Sequence, residues 1–187
     1  VNFSQEGTIG IITPSGEPSV FVELPDGSVG NGIRFDSHGN MLIADYKMHN
    51  VLKVDMTTKS ISVYAHESRM TQPNDLAIDS KDRVYASDPD FKSHTGRVWR
   101  VDTNGNVILL DSLSATANGI EVSPDEKKLY VGGGRDVFSY DLSSAGELSN
   151  KKLLIEFPDF GTDGMRCDAK GNLYIARIGK GVIAKVY

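Results

Sequence analysis

The stretch Asn118-Gly119-Ile120-Glu121-Val122-Ser123 has similar copies elsewhere in the chain, and this repetition indicates the fold. Each copy begins with Asn or Asp, continues through an apolar run and ends in a polar turn. The copies begin at residues 31, 74, 118 and 163, so successive starts are 43, 44 and 45 residues apart. The other copies are Asn31-Gly32-Ile33-Arg34-Phe35-Asp36, Asn74-Asp75-Leu76-Ala77-Ile78-Asp79 and Asp163-Gly164-Met165-Arg166-Cys167-Asp168. A period of this length indicates a repeated supersecondary unit.

Further short apolar runs follow within each unit. A second run lies at 41–44, 84–86, 129–131 and 173–176, and a third at 51–54, 97–101, 137–140 and 182–186. The first three units add a fourth run, at 61–64, 107–110 and 153–157. Four short strands in about 40 to 45 residues are typical of a β-propeller blade. We therefore predict an all-β fold, a β-propeller of four-stranded blades. A β-sandwich has no reason to repeat Asn or Asp at this period.

The length sets the number of blades. Dividing 187 residues by a mean repeat of 44 gives about four blades. Residues 8–13 and 19–24 match the third and fourth strands of a unit, and the chain stops after a third strand. We expect residues 1–187 to form a single propeller domain that begins and ends within a blade. Two arrangements are open: a closed four-bladed ring, or part of a larger ring whose unpaired edges allow self-association.

Composition argues against several partners and site types. A net charge of -5 and a pI near 5.3 lack the basic surface that nucleic acid requires, and they disfavour anionic membranes. Cys167 is the single cysteine, which excludes an intrachain disulfide and a Cys-rich zinc site. No apolar run approaches the roughly 18 residues of a membrane-spanning helix. A chain poor in thiols suits the cytoplasm, although an upstream leader could have been removed.

The residues that open the four copies are candidates for a site. The first strand of each propeller blade lines the central channel, so equivalent residues at the starts of these strands converge on the axis. All four offer oxygen donors, which suit Ca²⁺ better than Zn²⁺; they are Asn31, Asn74, Asn118 and Asp163. The alternative is that they only form turns, because Asn-Gly, Asn-Asp and Asp-Gly are common turn dipeptides.

Longer stretches resemble the family of gluconolactonase, senescence marker protein (regucalcin) and luciferin-regenerating enzyme, which are six-bladed propellers. The resemblance covers residues 69–176. The ordered set of Pro-Asn-Asp, Asn-Gly-Ile with Ser-Pro-Asp-Glu, and Asp-Gly-Met is more specific than any one of these motifs. They lie in the segments Arg69-Met-Thr-Gln-Pro-Asn-Asp-Leu76, 117–131 and 163–176, and the segments 85–89 and 96–100 also match.

The resemblance implies a Ca²⁺ at the top of the channel, where other divalent cations could also bind. By position, Asn118 and Asp163 are implied metal ligands, and Asn74 is a ligand or a substrate contact. Asp163 is also the implied general base. Arg69 resembles an arginine that contacts substrate, with a solvated loop arginine as the alternative. Asn31 has no regular ligand role in the family and is expected to line the channel.

One ligand of the family pattern is missing from the sequence. The family's first-blade Glu would precede Val1, and Glu6 does not replace it, because Glu6 aligns with the approach to a third strand. With Asp163 as the one charged ligand, we expect weak binding of a divalent ion. The chain therefore resembles an incomplete member of the family, and whether it is active by itself is open.

The predicted function is calcium-dependent hydrolysis of a sugar lactone. The metal would polarise the lactone carbonyl, and Asp163 would act as general base or nucleophile. The alternatives are a non-enzymatic propeller that binds calcium or protein, and an organophosphate hydrolase that uses the same site. A Ser-His-Asp hydrolase is disfavoured, since the four histidines lie in turns or at strand edges and no Gly-x-Ser-x-Gly motif occurs.

Overall fold

The computed structural model describes residues 2–3 and 7–187. In this part of the chain there are eighteen β-strands and no helix, hence no helix that could cross a membrane. The strands are β1 (Asn2–Phe3), β2 (Thr8–Ile12), β3 (Pro18–Glu23), β4 (Gly30–Phe35), β5 (Met41–Asp45), β6 (Asn50–Val54), β7 (Ile61–His66), β8 (Leu76–Ile78), β9 (Val84–Asp90), β10 (Thr95–Val101), β11 (Val107–Leu113), β12 (Ile120–Val122), β13 (Lys128–Gly133), β14 (Asp136–Leu142), β15 (Leu148–Glu156), β16 (Met165–Cys167), β17 (Leu173–Arg177) and β18 (Val182–Val186).

The described strands form five antiparallel sheets, and each strand pairs with its neighbour in sequence. The three middle sheets, β4–β7, β8–β11 and β12–β15, have four strands each. The first and last sheets, β1–β3 and β16–β18, have three each within the described residues. The predicted all-β propeller of four-stranded blades is confirmed, and every predicted strand segment overlaps an observed strand.

The closed four-bladed arrangement is wrong. Strands β2 and β3 coincide with the segments predicted as third and fourth strands, but they form a separate sheet with β1, in the order β1-β2-β3. They do not complete the sheet β16–β18. The first strands β4, β8, β12 and β16 contact one another in that order. The described sheets therefore follow one another as an arc around the axis.

The polar turn is fixed by an aspartate after β4, β8 and β16, whereas Ser123 stands at this position after β12. Asp36 follows β4, and its Oδ1 accepts hydrogen bonds from the backbone N–H groups of His38 (3.0 Å) and Asn40 (2.8 Å). Gly39 adopts a φ of 79° within this turn. Because an Asp side chain can satisfy the backbone of a tight turn in this way, the residue recurs at this point. Asp168 forms the same turn after β16.

The hydrophobic core is divided into layers between successive sheets. Four buried clusters are present in the described residues, and each draws its side chains from two neighbouring sheets. Trp99 and Tyr85 are the largest fully buried side chains, and both lie in the sheet β8–β11. Burial of these apolar faces, at about 25 cal/mol per Å², stabilises the stacking of the sheets. This stacking brings the first strands together at the axis.

Glycine at the second position of the repeat permits this close approach. A Cβ added to Gly119 would lie 2.3 Å from the carbonyl oxygen of Asp163 in the next sheet. A Cβ on Gly32 would lie 2.6 Å from Oδ1 of Asp75. Gly164 occupies the same repeat position, but a Cβ there would meet no atom within 4 Å. The requirement for glycine thus depends on the neighbouring sheet and not on the strand itself.

We expect Gly119→Ala to lower the free energy of unfolding by about 1–3 kcal/mol, because the added methyl group overpacks the contact with Asp163. Gly164→Ala is the matched control at the equivalent position, and its effect should stay within about 0.5 kcal/mol. Urea unfolding of both variants measures the difference. Equal losses in the two variants would contradict the packing described here.

Candidate active site

Three of the residues that open the repeats have the same backbone environment. Each lies two residues before a first strand and donates its N–H to a carbonyl on the second strand of its own sheet. The bonds run from Asn74 to Ser87 (2.8 Å), from Asn118 to Gly132 (2.6 Å) and from Asp163 to Ala176 (2.8 Å). Successive sheets therefore place these residues at the same end of the channel, which we call the mouth. We call Asn74, Asn118 and Asp163 the hub residues.

Asn31 departs from this arrangement. It lies inside β4, where the pairing with β5 changes register between Gly30 and Ile33. The N–H of the next residue, Gly32, donates to the carbonyl of Asn74 (2.8 Å). The sheet β4–β7 thus contacts the hub through its backbone. The expected role of Asn31 in lining the channel stays a prediction.

Asn118 links its neighbours on both sides. Its Nδ2 donates to the carbonyl oxygen of Thr162, the residue before Asp163, at 3.5 Å. Its own carbonyl oxygen accepts a hydrogen bond from the Ser87 hydroxyl in the sheet that carries Asn74. Within the described residues, no hydrogen bond engages the Asn118 carboxamide oxygen. That oxygen is available to a ligand in the channel.

Asp163 lies at the edge of an apolar depression beside the turn between β17 and β18. The side chains of Ile178, Val182 and Ile183 line this depression, and all three are about half exposed or more. Asp163 itself is half-buried. Among residues 7–187, no donor forms a hydrogen bond with its carboxylate, so both oxygens keep their lone pairs for a ligand or a proton.

The hub residues offer oxygen donors that suit a hard cation, and the total charge of these ligands is low. The three side chains offer one carboxylate and two carboxamides, all of which are oxygen ligands of the kind that Ca²⁺ takes. Over residues 2–3 and 7–187 there is no group of three or more His, Cys, Asp or Glu that could hold a metal ion. A site that uses carboxamides alongside one carboxylate is consistent with that finding. Glu6, the residue rejected as a further ligand, lies outside the described residues.

Arg69 is at the mouth, but its guanidinium is already engaged. Its Nη2 lies 2.7 Å from Oε2 of Glu67, and its Nε donates to Oε1 of the same carboxylate at 3.0 Å. These bonds hold the pKa of Glu67 at about 2, well below its ordinary value. The guanidinium also lies 5.2 Å from the centre of the Trp99 ring. A substrate contact by Arg69 would compete with Glu67, so the predicted substrate role stays untested.

The loop that leads to Asn74 is anchored from below by Asp88. Its buried carboxylate accepts hydrogen bonds from the backbone N–H groups of Thr71 (2.7 Å) and Gln72 (2.6 Å). The indole Nε1 of Trp99 donates to its other oxygen at 2.9 Å. Burial and these bonds fix the loop rigidly in front of Asn74. Asp88 is therefore a structural residue at the mouth and not a ligand-binding one.

Below the hub, four charged side chains form a closed cycle that sequence reasoning missed. Arg34 contacts Asp75 (3.3 Å) and Glu121 (3.1 Å). Arg166 contacts the same two carboxylates, at 3.2 Å and 3.8 Å. Burial lowers the pKa of Arg34 and raises that of Glu121, while the opposite charges favour the ionised form of each. We call these four residues the charged ring.

The repeat contains a signal for the charged ring. Residues two apart on a strand share a face, so the second and fourth positions of each copy point to the same side. The fourth position holds Arg34, Glu121 and Arg166, and the second position of the remaining copy holds Asp75. Two positive and two negative charges on the channel side of converging strands predict mutual ion pairs. The fourth position lies about 10 Å along the strand from the first, which places the ring beneath the hub.

Comparison with known proteins identifies the family. Residues 4–187 match the family described as the SMP-30/Gluconolactonase/LRE-like region. The chain belongs to this family. The resemblance seen in the repeats is thereby confirmed. A gluconolactonase of Zymomonas mobilis subsp. mobilis is 29% identical over 80% of this chain, and a pentonolactonase, XacC, of Haloferax volcanii is 28% identical over 57%.

A solved propeller of the family has the same fold. The calcium-binding protein regucalcin of Agrobacterium tumefaciens strain C58 superposes with a TM-score of 0.83 at 22% identity. The match covers 98% of this chain and 64% of that one. This chain spans about half of the gluconolactonase (49%) and 38% of the pentonolactonase. At this identity the superposition shows the fold alone.

We expect Asp75→Ala to lower the free energy of unfolding by about 3 kcal/mol, because it leaves the buried Arg34 with one partner fewer and takes a partner from Arg166. Asp125→Ala removes a carboxylate whose side chain is 60% exposed, and it should cost less than about 1 kcal/mol. Urea unfolding compares the two. A loss as small for Asp75 as for Asp125 would show that the ring contributes little to stability.

We expect Arg69→Ala to raise the pKa of Glu67 from about 2 toward its ordinary value of 4.5. Since the folded pKa is the lower one, the pair stabilises the protein above about pH 4.5, and this contribution disappears as the pH falls to about 2. A carboxyl NMR titration measures the pKa. Arg135→Ala, which removes the partner of Glu156, should leave Glu67 unchanged. Titration of Glu67 near 4.5 in the unaltered protein would contradict the bonded arrangement.

Proposed function

We propose that the protein is a lactone hydrolase whose hub residues bind a divalent cation, Ca²⁺ in the first instance. The observation that carries this proposal is the equivalent placement of three oxygen-bearing side chains, Asn74, Asn118 and Asp163, at one end of the channel. Relatives named gluconolactonase and pentonolactonase support the reaction class. Because this chain spans about half of the first of them, the activity of the whole protein is part of the proposal.

Asn118 and Asp163 are the proposed cation ligands, and Asn74 either completes the set or contacts substrate. A bound Ca²⁺ would act as a Lewis acid on the carbonyl oxygen of the lactone. The backbone hydrogen bonds of the hub fix the main chain at the three residues, which lowers the cost of ordering the site when substrate arrives. The proposed substrate is a sugar lactone, the class named by the two relatives.

Asp163 is the proposed general base. Its carboxylate accepts a proton from a water molecule as the water oxygen attacks the carbonyl carbon. The ring C–O bond then breaks, and the departing oxygen takes up a proton, which gives the open hydroxy acid. One feature supports this assignment: the carboxylate of the half-buried Asp163 accepts no hydrogen bond from a described residue.

A binding propeller without catalysis is the second candidate, and one observation favours it. The start of β18 and the turn before it expose apolar side chains, Ile178, Val182 and Ile183 among them. Apolar side chains grouped in this way are typical of surfaces that another protein or another part of a protein covers. Self-association through unpaired blade edges stays a prediction, as does a cytoplasmic location.

We expect the protein to hydrolyse a sugar lactone, with a rate that falls on chelation and returns with added Ca²⁺. Asp163→Asn should lower kcat by about 100-fold or more, because it removes the base and keeps the shape of the side chain. Asp125→Asn, a carboxylate in an exposed turn, is the control and should keep the full rate. Initial rates with a lactone panel and one organophosphate ester measure both the dependence on Ca²⁺ and the effect of Asp163→Asn.

Two results would overturn the proposal. One is a lactone hydrolysis rate that is indifferent to chelation and to Asp163→Asn. The other is calcium binding without turnover of any compound in the panel, which would favour the binding propeller. Faster hydrolysis of the organophosphate than of every lactone would reassign the substrate class while keeping the site.

A further inference from the structure

Ser87 is a buried hydroxyl at a position where the other sheets carry none. It lies on β9, opposite Asp75, and its side chain is fully buried. The residues at the corresponding place on the second strands of the other three sheets lack a hydroxyl; they are Ala44, Gly132 and Ala176. Gly132, at this position in the sheet β12–β15, is in close contact with side chains of the segment that leads into the next sheet. Among these four equivalent positions, the hydroxyl is therefore specific to the sheet β8–β11. Its hydrogen-bond partners indicate its role.

The hydroxyl joins the segments that carry two hub residues. Its Oγ accepts the backbone N–H of Asp75 at 3.0 Å. It donates to the carbonyl of Asn118 in the next sheet and also lies 3.3 Å from the carbonyl oxygen of Asp75. One side is thus the residue after Asn74, and the other is Asn118 itself. Asp75 in turn contacts both arginines of the charged ring, so the joint is tied into that network.

We propose that Ser87 is a positioning residue that sets the separation of Asn74 and Asn118, so that both carboxamides can serve one ligand at the mouth. This inference rests on the proposed function of the hub. Ser87 does not touch the ligand. It acts through the backbone on either side of the joint between the sheets β8–β11 and β12–β15. A hydroxyl suits this joint because it accepts from one sheet and donates to the other at once.

The chain offers a matched control. Ser123 is also buried, and its hydroxyl likewise accepts one backbone N–H, from Lys128 at 2.9 Å, and donates once, to Asp125 at 2.7 Å. It lies after β12, at the opposite end of the channel from the hub. Ser87→Ala and Ser123→Ala therefore each remove a hydrogen bond accepted from a backbone N–H and one donated by the hydroxyl. If Ser87 were merely structural, the two variants would behave alike at the hub.

The first measurement is Ca²⁺ affinity by titration calorimetry, with thermal unfolding of the same samples. We expect both variants to lose similar thermal stability. Ser87→Ala alone should weaken Ca²⁺ binding, by about five-fold, the ratio that corresponds to one net hydrogen bond. Unchanged affinity in Ser87→Ala, or equal weakening in both variants, would overturn the inference.

The second measurement needs no metal. The side-chain amide NMR signals of Asn74 and Asn118 should shift in Ser87→Ala and stay in place in Ser123→Ala. Signals that do not move in Ser87→Ala would overturn the positioning role whatever the affinities are. Shifted signals in a protein that binds no Ca²⁺ would support the positioning role of Ser87 and count against the proposed function. Failure of the positioning role and failure of the proposed function are therefore distinguishable.

Discussion

The charged ring of Arg34, Asp75, Glu121 and Arg166 is the interaction on which the rest of the site depends. Each member contacts two side chains of opposite charge, and together they join the inner segments of four successive sheets. A half-buried charge without such partners would be costly, so the ring constrains where the first strands can lie. The hub residues stand at the starts of those strands, and Asp75 is bonded directly to the joint that Ser87 makes.

The hub combines this rigidity with few charges. Asp163 supplies the one carboxylate, and the carboxamides of Asn74 and Asn118 supply oxygen without charge. A hard cation at the proposed site would be held weakly, because affinity rises with the charge of the ligands. In the proposed mechanism the Asp163 carboxylate is also the general base. At the mouth, Arg69 forms an ion pair with Glu67, and this pairing keeps the cationic side chain beside the hub and not in it.

Much of this architecture could be predicted from the period of the sequence. Alternating apolar runs and the recurring turn aspartate gave the strands, and the equivalence of Asn74, Asn118 and Asp163 followed from their place in the repeat. The charged ring was missed because one of its two carboxylates, Asp75, stands at a different repeat position from the other three members. The Ser87 joint and the Glu67 pair could not be predicted, since they depend on which atoms the stacking of sheets brings together. The closed four-bladed ring was wrong, because strand patterning does not fix how terminal sheets pair.

An anomalous difference map from crystals of the protein grown with Ca²⁺ would show whether the hub residues bind the cation. We predict one peak at the mouth, about 2.3–2.6 Å from a carboxylate oxygen of Asp163 and from the carboxamide oxygen of Asn118. A map without a peak at the mouth, with the three hub side chains turned away from one another, would contradict it.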